Sequence, residues 1–387
     1  MSLPIYLDHH STTPVDARVL DAMLPFFTQA YGNASNRTHT FGRSASAAVE
    51  QAREQVARLL GARYSEIYFT SGATESNAIA LQGAARRAPG AHLVTSAIEH
   101  RSVLEAMRRL EREGWQLTLL PVDRHGFVSP RDVERSLRPD TALVSIMAAN
   151  NEIGTIEPIA EIGAAVRRSD ALFHVDATQA VGRLPIDVDE MSIDLLSLSA
   201  HKLHGPKGVG ALYVRRGVQV DALAEGGGQE RGLRPGTLNV PGIVGMGIAC
   251  ELASQSMGDD EARIAALRDR LQQHLLEALD DVTVNGPAHR RLAANLNVTV
   301  SGIEAEALLL GLPGLALSAG AACSTSQARP SHVLEAIGAV HAGPAAVLRF
   351  GLGRGNTADE IDHAARSVIE RVRRLRDSAT ARRIEGA

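Results

Sequence analysis

Seven short apolar runs, each followed by a polar turn and most separated by segments with helical spacing, constrain this chain more than any other feature. They fall at residues 66–70, 91–95, 116–120, 142–147, 171–176, 193–199 and 209–214, with residues 101–112 one of the helical stretches between. Runs that are apolar throughout need cover on both faces, so alternation with helices implies an α/β fold built on a mostly parallel sheet. Open sheets of this kind bind ligands beyond the carboxyl ends of their strands. Polar residues cluster there: Glu99 and His100, then Asn150, Asn151 and Glu152, then Asp176, Thr178 and Gln179.

Two positions in this frame point to chemistry. The run ending at Thr70 leads into Ser71-Gly72-Ala73-Thr74-Glu75-Ser76-Asn77 and a helix expected at Ala78-Ile79-Ala80-Leu81. Strand, glycine turn and helix start together offer free N–H groups and a dipole to an anion such as a phosphate, although Ser and Thr there also serve as plain N-caps. The second position is Lys202, directly after the run 193–199. Forty residues are Lys or Arg, yet only Lys202 and Lys207 are lysine, so arginine carries nearly all ordinary positive charge. An ε-amine can lose its proton and attack an aldehyde, which a guanidinium cannot. A strand-end lysine, a strand-end carboxylate at Asp176 and an anion site suit pyridoxal 5′-phosphate (PLP), with Asp176 facing the pyridine nitrogen and His100 over the ring.

Other features set bounds. Net charge is −4 and 3% of residues are aromatic, so neither a phosphate-tracking surface nor a base-stacking platform for nucleic acid is indicated. The N-terminus lacks a basic, then apolar, leader and no run approaches membrane-spanning length, so the chain is expected to be soluble and cytoplasmic. Two cysteines make no disulfide framework or metal cage. Cys250 sits in a helix-like apolar stretch, whereas Cys323 sits among small residues, 317–327, expected to form a loop that carries a thiol to a reacting centre. Adjacent His9 and His10 lack further ligands at metal-binding spacing and are expected to take hydrogen-bonding or loop roles. Arg349, flanked by Leu348 and Phe350, either points inward to bind a carboxylate or outward to solvent. A long helix with Ile264, Leu267, Leu271, Leu275 and Leu279 is expected to begin near a domain boundary at 256–260, followed by a smaller α/β domain with strands near 282–284, 296–300 and 347–350.

Taken in order, Tyr6-Leu7-Asp8 with Thr12-Thr13-Pro14, the segment 70–76, Glu99-His100, Asn150-Asn151-Glu152-Ile153-Gly154, His174 to Gln179, His201-Lys202 with Gly205-Pro206-Lys207-Gly208, and Gly226 to Arg231 resemble the cysteine desulfurases. This family belongs to PLP fold type I in the class V aminotransferase superfamily, and the longer loop around Cys323 is similar to its group I, the type serving nitrogenase and general iron–sulfur cluster assembly. The resemblance implies a large domain, 15–257, with a seven-stranded, mostly parallel sheet, and a small domain of 1–14 and 258–387 carrying the mobile cysteine loop. It implies phosphate contacts from Ala73, Thr74, Ser199 and His201, and from Thr237 of the second subunit of a homodimer. Asn151, Asp176, Gln179, Lys202 and the stacking His100 take the remaining cofactor contacts, with Asn151 and Arg349 on the substrate. The implied reaction takes sulfur from L-cysteine, leaves L-alanine, and places the sulfur on Cys323 as a persulfide for an acceptor such as an iron–sulfur scaffold.

Asn33-Ala34-Ser35-Asn36-Arg37 and Ala321-Ala322 depart from the family pattern, and the ending at 380–387 lacks the tail that housekeeping members use toward a scaffold, so the acceptor stays open. Three rivals stay open as well. One is another class V enzyme, an aminotransferase, selenocysteine lyase or C–S β-lyase, in which Cys323 is incidental. A second is a PLP-free dinucleotide-binding protein, which lacks a good G-x-G-x-x-G after its first strand. The last is a PLP-binding but catalytically idle assembly protein.

Overall fold

The computed structural model describes residues 3–319, 331–339 and 343–385, with the side chains of 379–385 left out. Its strands are β1 (Ile5–Tyr6), β2 (Ile67–Thr70), β3 (His92–Ser96), β4 (Gln116–Leu120), β5 (Thr141–Ser145), β6 (Leu172–Asp176), β7 (Leu195–Ser199), β8 (Gly210–Val214), β9 (Val282–Asn285), β10 (Asn295–Ser301), β11 (Leu315–Ala316), β12 (Ser318–Ala319) and β13 (Ala345–Gly351). The expected apolar runs became the seven strands of one sheet, in the order β2-β8-β7-β6-β5-β3-β4. Strands β4, β3, β5, β6 and β7 pair in parallel, while β8 is antiparallel to both β7 and β2. Six strands therefore point the same way, and their carboxyl ends share one edge. Every residue of β3, β7 and β8 is buried, as double-sided cover requires.

Two helix boundaries differ from expectation. The helix expected at Ala78 already starts at Ala73 and runs to Ala85, because Gly72, with φ +152°, turns the chain out of β2 in a conformation that L side chains rarely adopt. The helix expected to start near 256–260 instead spans Val240–Ala278, capped by Asn239 and carrying Pro241 in its first turn. Its glycines hide it from a propensity reading, yet they serve packing: a Cβ on Gly247 would lie 2.7 Å from Ala52 Cα of the neighbouring helix, Thr40–Leu59. The division after residue 257 drawn from the sequence thus falls inside one continuous helix.

That helix contributes to two cores. Its first half, with Val244, Met246 and Ala253, packs with Val49, Val56, Phe69, Phe173, Leu196 and Tyr213 around the large sheet. Its second half, with Ile264, Leu271 and Leu275, packs with Leu7, Leu296, Leu348, Phe350 and Val368. This second core lies against a four-stranded antiparallel sheet, β12-β13-β10-β9, and Leu7 brings the N-terminal segment onto it. No helix among the described residues is long and apolar enough to cross a membrane.

Candidate active site

A cleft of about 680 Å³ opens at the carboxyl edge of the large sheet. Ser71 to Glu75 line it after β2, His100 after β3, Met147, Ala149 and Asn151 after β5, Asp176, Thr178 and Gln179 at the end of β6, and Ser199, His201 and Lys202 at the end of β7 and beyond it. Residues 10–12 and Arg349 of β13 close it from the other side. Of the twelve site residues expected from sequence, ten line this one cleft: Ala73, Thr74, His100, Asn151, Asp176, Gln179, Ser199, His201, Lys202 and Arg349. Thr237 does not; it is exposed on the loop preceding helix Val240–Ala278. Cys323 lies outside the described residues.

The anion end of the cleft is built by glycine. Ser76 N donates to Gly72 O, which leaves the N–H groups of Ala73, Thr74 and Glu75 at the helix start without helical partners. The turn lies flat against β8 because Gly210 has no side chain: a Cβ there would meet Gly72 Cα at 2.7 Å and Leu198 O at 2.6 Å. Ser199 and His201 border the same region. His201 Nδ1 is 3.1 Å from Thr12 Oγ1, and burial, with Lys202 and Lys207 nearby, lowers its pKa to about 4.

Lys202 ends a single 3-10 turn, Ala200–Lys202, that follows the buried β7. Its Nζ donates to two neutral acceptors, His10 O at 2.6 Å and Ser11 O at 2.7 Å. Burial is the main reason its pKa falls to about 8, and Arg183 and Arg349 push in the same direction against Asp8 and Asp176. The amine is therefore far readier to lose its proton than a surface lysine. Asp176, 5% exposed, accepts from Asn77 Nδ2 at 2.8 Å and from Thr178 N at 3.0 Å.

Arg349 resolves an alternative that strand periodicity left open. Its register opposite Asn297 and Ser318 turns the guanidinium into the cleft. Nη2 donates to Asp8 Oδ1 at 2.9 Å, Ser11 Oγ at 2.8 Å and Ser318 Oγ at 3.0 Å, and Nη1 donates to Asn151 O at 3.2 Å. Gln179 Nε2 donates to His10 O, so one carbonyl receives both the amide and Lys202. His9 and His10 hydrogen-bond or pack, and no metal-binding cluster occurs among the described residues. His174, within one of the quoted motifs, is structural: it lies buried between Ser145 Oγ at 2.8 Å and Ser197 Oγ at 3.0 Å.

Sequence reading missed Ser11 and Thr12 as cleft-lining groups, Asp8 as the partner of Arg349, and Arg183, Asn77 and Ser102 as partners of Gln179, Asp176 and His100. Asp8 and Thr12 stand in a quoted motif, but nothing local assigns them a partner about 190 to 340 residues away. Three buried cleft atoms have no partner among the described residues: His10 Nε2, Thr178 Oγ1 and Arg349 Nε. Buried polar atoms are seldom left so, and these are available to a polar ligand.

Comparison with known proteins agrees with this geometry. Residues 5–363 match the family described as Aminotransferase class-V. The chain is 52% identical over 381 residues to the cysteine desulfurase IscS of Anaeromyxobacter dehalogenans (strain 2CP-C), covering 97% of this chain and 94% of the relative. It is 50% identical over 378 residues to the cysteine desulfurase of Mus musculus, covering 97% and 82%. Among solved structures, a NifS-like protein superposes with a TM-score of 0.89 at 38% identity over 95% of this chain and 99% of that one. A match that begins at β1 and takes in the anion turn, Asp176, Lys202 and Arg349 means that the chain belongs to the class V aminotransferase family.

Proposed function

We propose that this chain is a PLP-dependent cysteine desulfurase that takes sulfur from L-cysteine, leaves L-alanine and holds the sulfur as a persulfide on Cys323. The observation that carries the reading is the meeting, in one cleft, of a lysine whose pKa is about 8, a buried strand-end carboxylate and a free helix N-terminus. Relatives named cysteine desulfurase, at about half identity over nearly the whole chain, support it.

The residues fit the cofactor. The N–H groups of Ala73 and Thr74, with Ser199 and His201, suit a phosphate dianion, and Thr237 of the partner subunit in a homodimer completes that end. Asp176 is held ready by Asn77 and Thr178 to receive a pyridinium N–H. His100 takes the ring face, and Gln179 and Asn151 the remaining polar contacts. Lys202 supplies the amine that binds the aldehyde. When bound, PLP supplies an electron sink that stabilises negative charge on the substrate carbon.

The chain's own groups do the rest. Arg349 offers its fork to the substrate carboxylate, loosening its bond to Asp8. The free amine of Lys202 and the imidazole of His100 are the groups suited to moving protons near neutral pH. The Cys323 thiolate attacks the substrate sulfur: an S–S bond forms, the C–S bond breaks, and its electron pair stays with the carbon skeleton, which is protonated to alanine. The sulfur then passes to an acceptor protein, such as an iron–sulfur scaffold.

Incubation with L-cysteine followed by mass spectrometry of the intact and digested chain tests this. An added sulfur on Cys323, lost in Cys323→Ala together with acceptor-directed transfer, is the expected result. Undiminished alanine and sulfide production by Cys323→Ala without external thiol would instead favour a C–S lyase of the same family.

A further inference from the structure

The hydrogen bonds of His100 decide which ring nitrogen acts toward the cleft. His100 caps the helix Arg101–Arg112, and Ser102 N donates to its Nδ1 at 3.1 Å. An N–H can only donate, so Nδ1 holds the lone pair and the neutral ring carries its proton on Nε2. Ser102 Oγ lies 2.8 Å from the same Nδ1, and against a lone pair the hydroxyl must donate too. Asn77 turns the hydroxyl that way. Its Nδ2 donates to Ser102 Oγ at 2.9 Å and to Asp176 Oδ2 at 2.8 Å. A carboxylate only accepts, so the amide nitrogen has to face Asp176, and its second N–H occupies an acceptor lobe of the Ser102 hydroxyl. Asn77 is fully buried. Its sequence position reads as an ordinary helix-start residue, and Ser102 as ordinary first-turn polarity.

We propose that Asn77 and Ser102 are positioning residues for His100: they hold it as the neutral Nε2–H tautomer, so that the nitrogen not bound to Ser102 is a hydrogen-bond donor, and they tie its orientation to Asp176. The proposal deepens the reading of this cleft as a cysteine desulfurase site and rests on it for the role of His100. Protonating His100 adds a proton at Nδ1, where it displaces both bonds from Ser102. Burial opposes the cation first, and Lys202 of the turn after β7 and His332 of helix His332–Ala336 oppose it further; Asp176 of β6 and Glu152 of the loop after β5 favour it. The balance lowers the pKa of His100.

The test uses the enzyme as purified, with ring-¹⁵N histidine and no substrate, and reads tautomer and titration from long-range ¹H–¹⁵N spectra. His100→Gln identifies the resonance. The parent should show the Nε2–H pattern. Ser102→Ala keeps the backbone N–H on Nδ1, and with it the Nε2–H form, but loses the hydroxyl's bond and should raise the proton affinity of His100 about two- to tenfold, the worth of one neutral hydrogen bond. Ser102→Thr should restore the parent midpoint, and Asn77→Ala should move it as Ser102→Ala does. An Nδ1–H pattern in the parent overturns the proposal whatever the variants do, and so does a Ser102→Ala midpoint identical to the parent's. The readout needs no turnover: absent desulfuration with the expected spectra and midpoints sinks the functional reading alone, and normal desulfuration with unchanged midpoints sinks only the positioning role.

Discussion

Lys202 should titrate near pH 8, and Arg349→Met should raise that midpoint. The shift from 10.5 to about 8 makes charging this amine cost about 3 kcal/mol more than charging an exposed lysine. At pH 7.5 about a quarter of the molecules then carry the free amine, against about one in a thousand for an unshifted lysine. Arg349→Met removes one of two cations facing Lys202 and frees Asp8 from its ion pair, and both changes favour the ammonium. A rise of about one unit would leave about 3% free amine at pH 7.5. The chain suits the measurement, because reductive ¹³C-methylation labels only Lys202, Lys207 and the α-amine. After hydroxylamine strips bound carbonyl compounds, NMR titration follows each signal, and Lys202→Ala identifies its own. Stability carries the same signature. Between about pH 8 and 10.5 the unfolded chain holds a proton that the folded chain has released, so stability rises with pH across that window. A midpoint above about 9.5 in the parent, or one that Arg349→Met leaves in place, would refute the electrostatic account of the site.

Three further expectations follow from packing and charge. Gly210→Ala places a methyl within 2.8 Å of Gly72 and should cost about 1–3 kcal/mol in a denaturant melt while weakening binding of a phosphate-bearing ligand; unchanged binding would mean that the turn does not shape the anion site. Glu230 accepts from Arg53 Nη1 at 2.9 Å, Arg53 Nη2 at 2.8 Å and Phe69 N at 2.6 Å. Glu230→Gln removes the buried charge partner of Arg53, leaving it only the half-exposed Glu50 at 3.3 Å, and should lower stability by up to about 3–5 kcal/mol, read from the urea midpoint. Burial pushes Glu99 up to about 8, against its bonds from Ser96 and Met147. The folded chain therefore keeps a proton that the unfolded one loses from about pH 4.5, and stability falls as pH rises from there to about 8. Glu99→Gln should flatten that slope and be the more stable form at pH 8; parallel pH profiles of melting temperature would contradict it.

Much of the scaffold was legible because its information is local. A mostly apolar run of about five residues signals a covered strand whatever its neighbours are, and all seven such runs are strands of one sheet, although the edge strand β4 keeps only Leu120 buried. Lys202 stood out because arginine takes nearly every other cationic position, and Asp176 because a carboxylate ends an apolar strand. Helix starts were less legible: Gly72 permits a turn five residues earlier than expected, and glycines at 242, 245 and 247 mask a helix that they help to pack.

What residue types and periodicity determined, then, was the layered architecture and the one amine able to meet an aldehyde, since both depend on the chemistry of neighbours in the chain. Only the tertiary structure decided where that amine's proton goes. The His10 and Ser11 carbonyls, Arg183 and Arg349 reach Lys202 from three separate parts of the chain, and electrostatic energy depends on distances through space that no spacing along the backbone encodes.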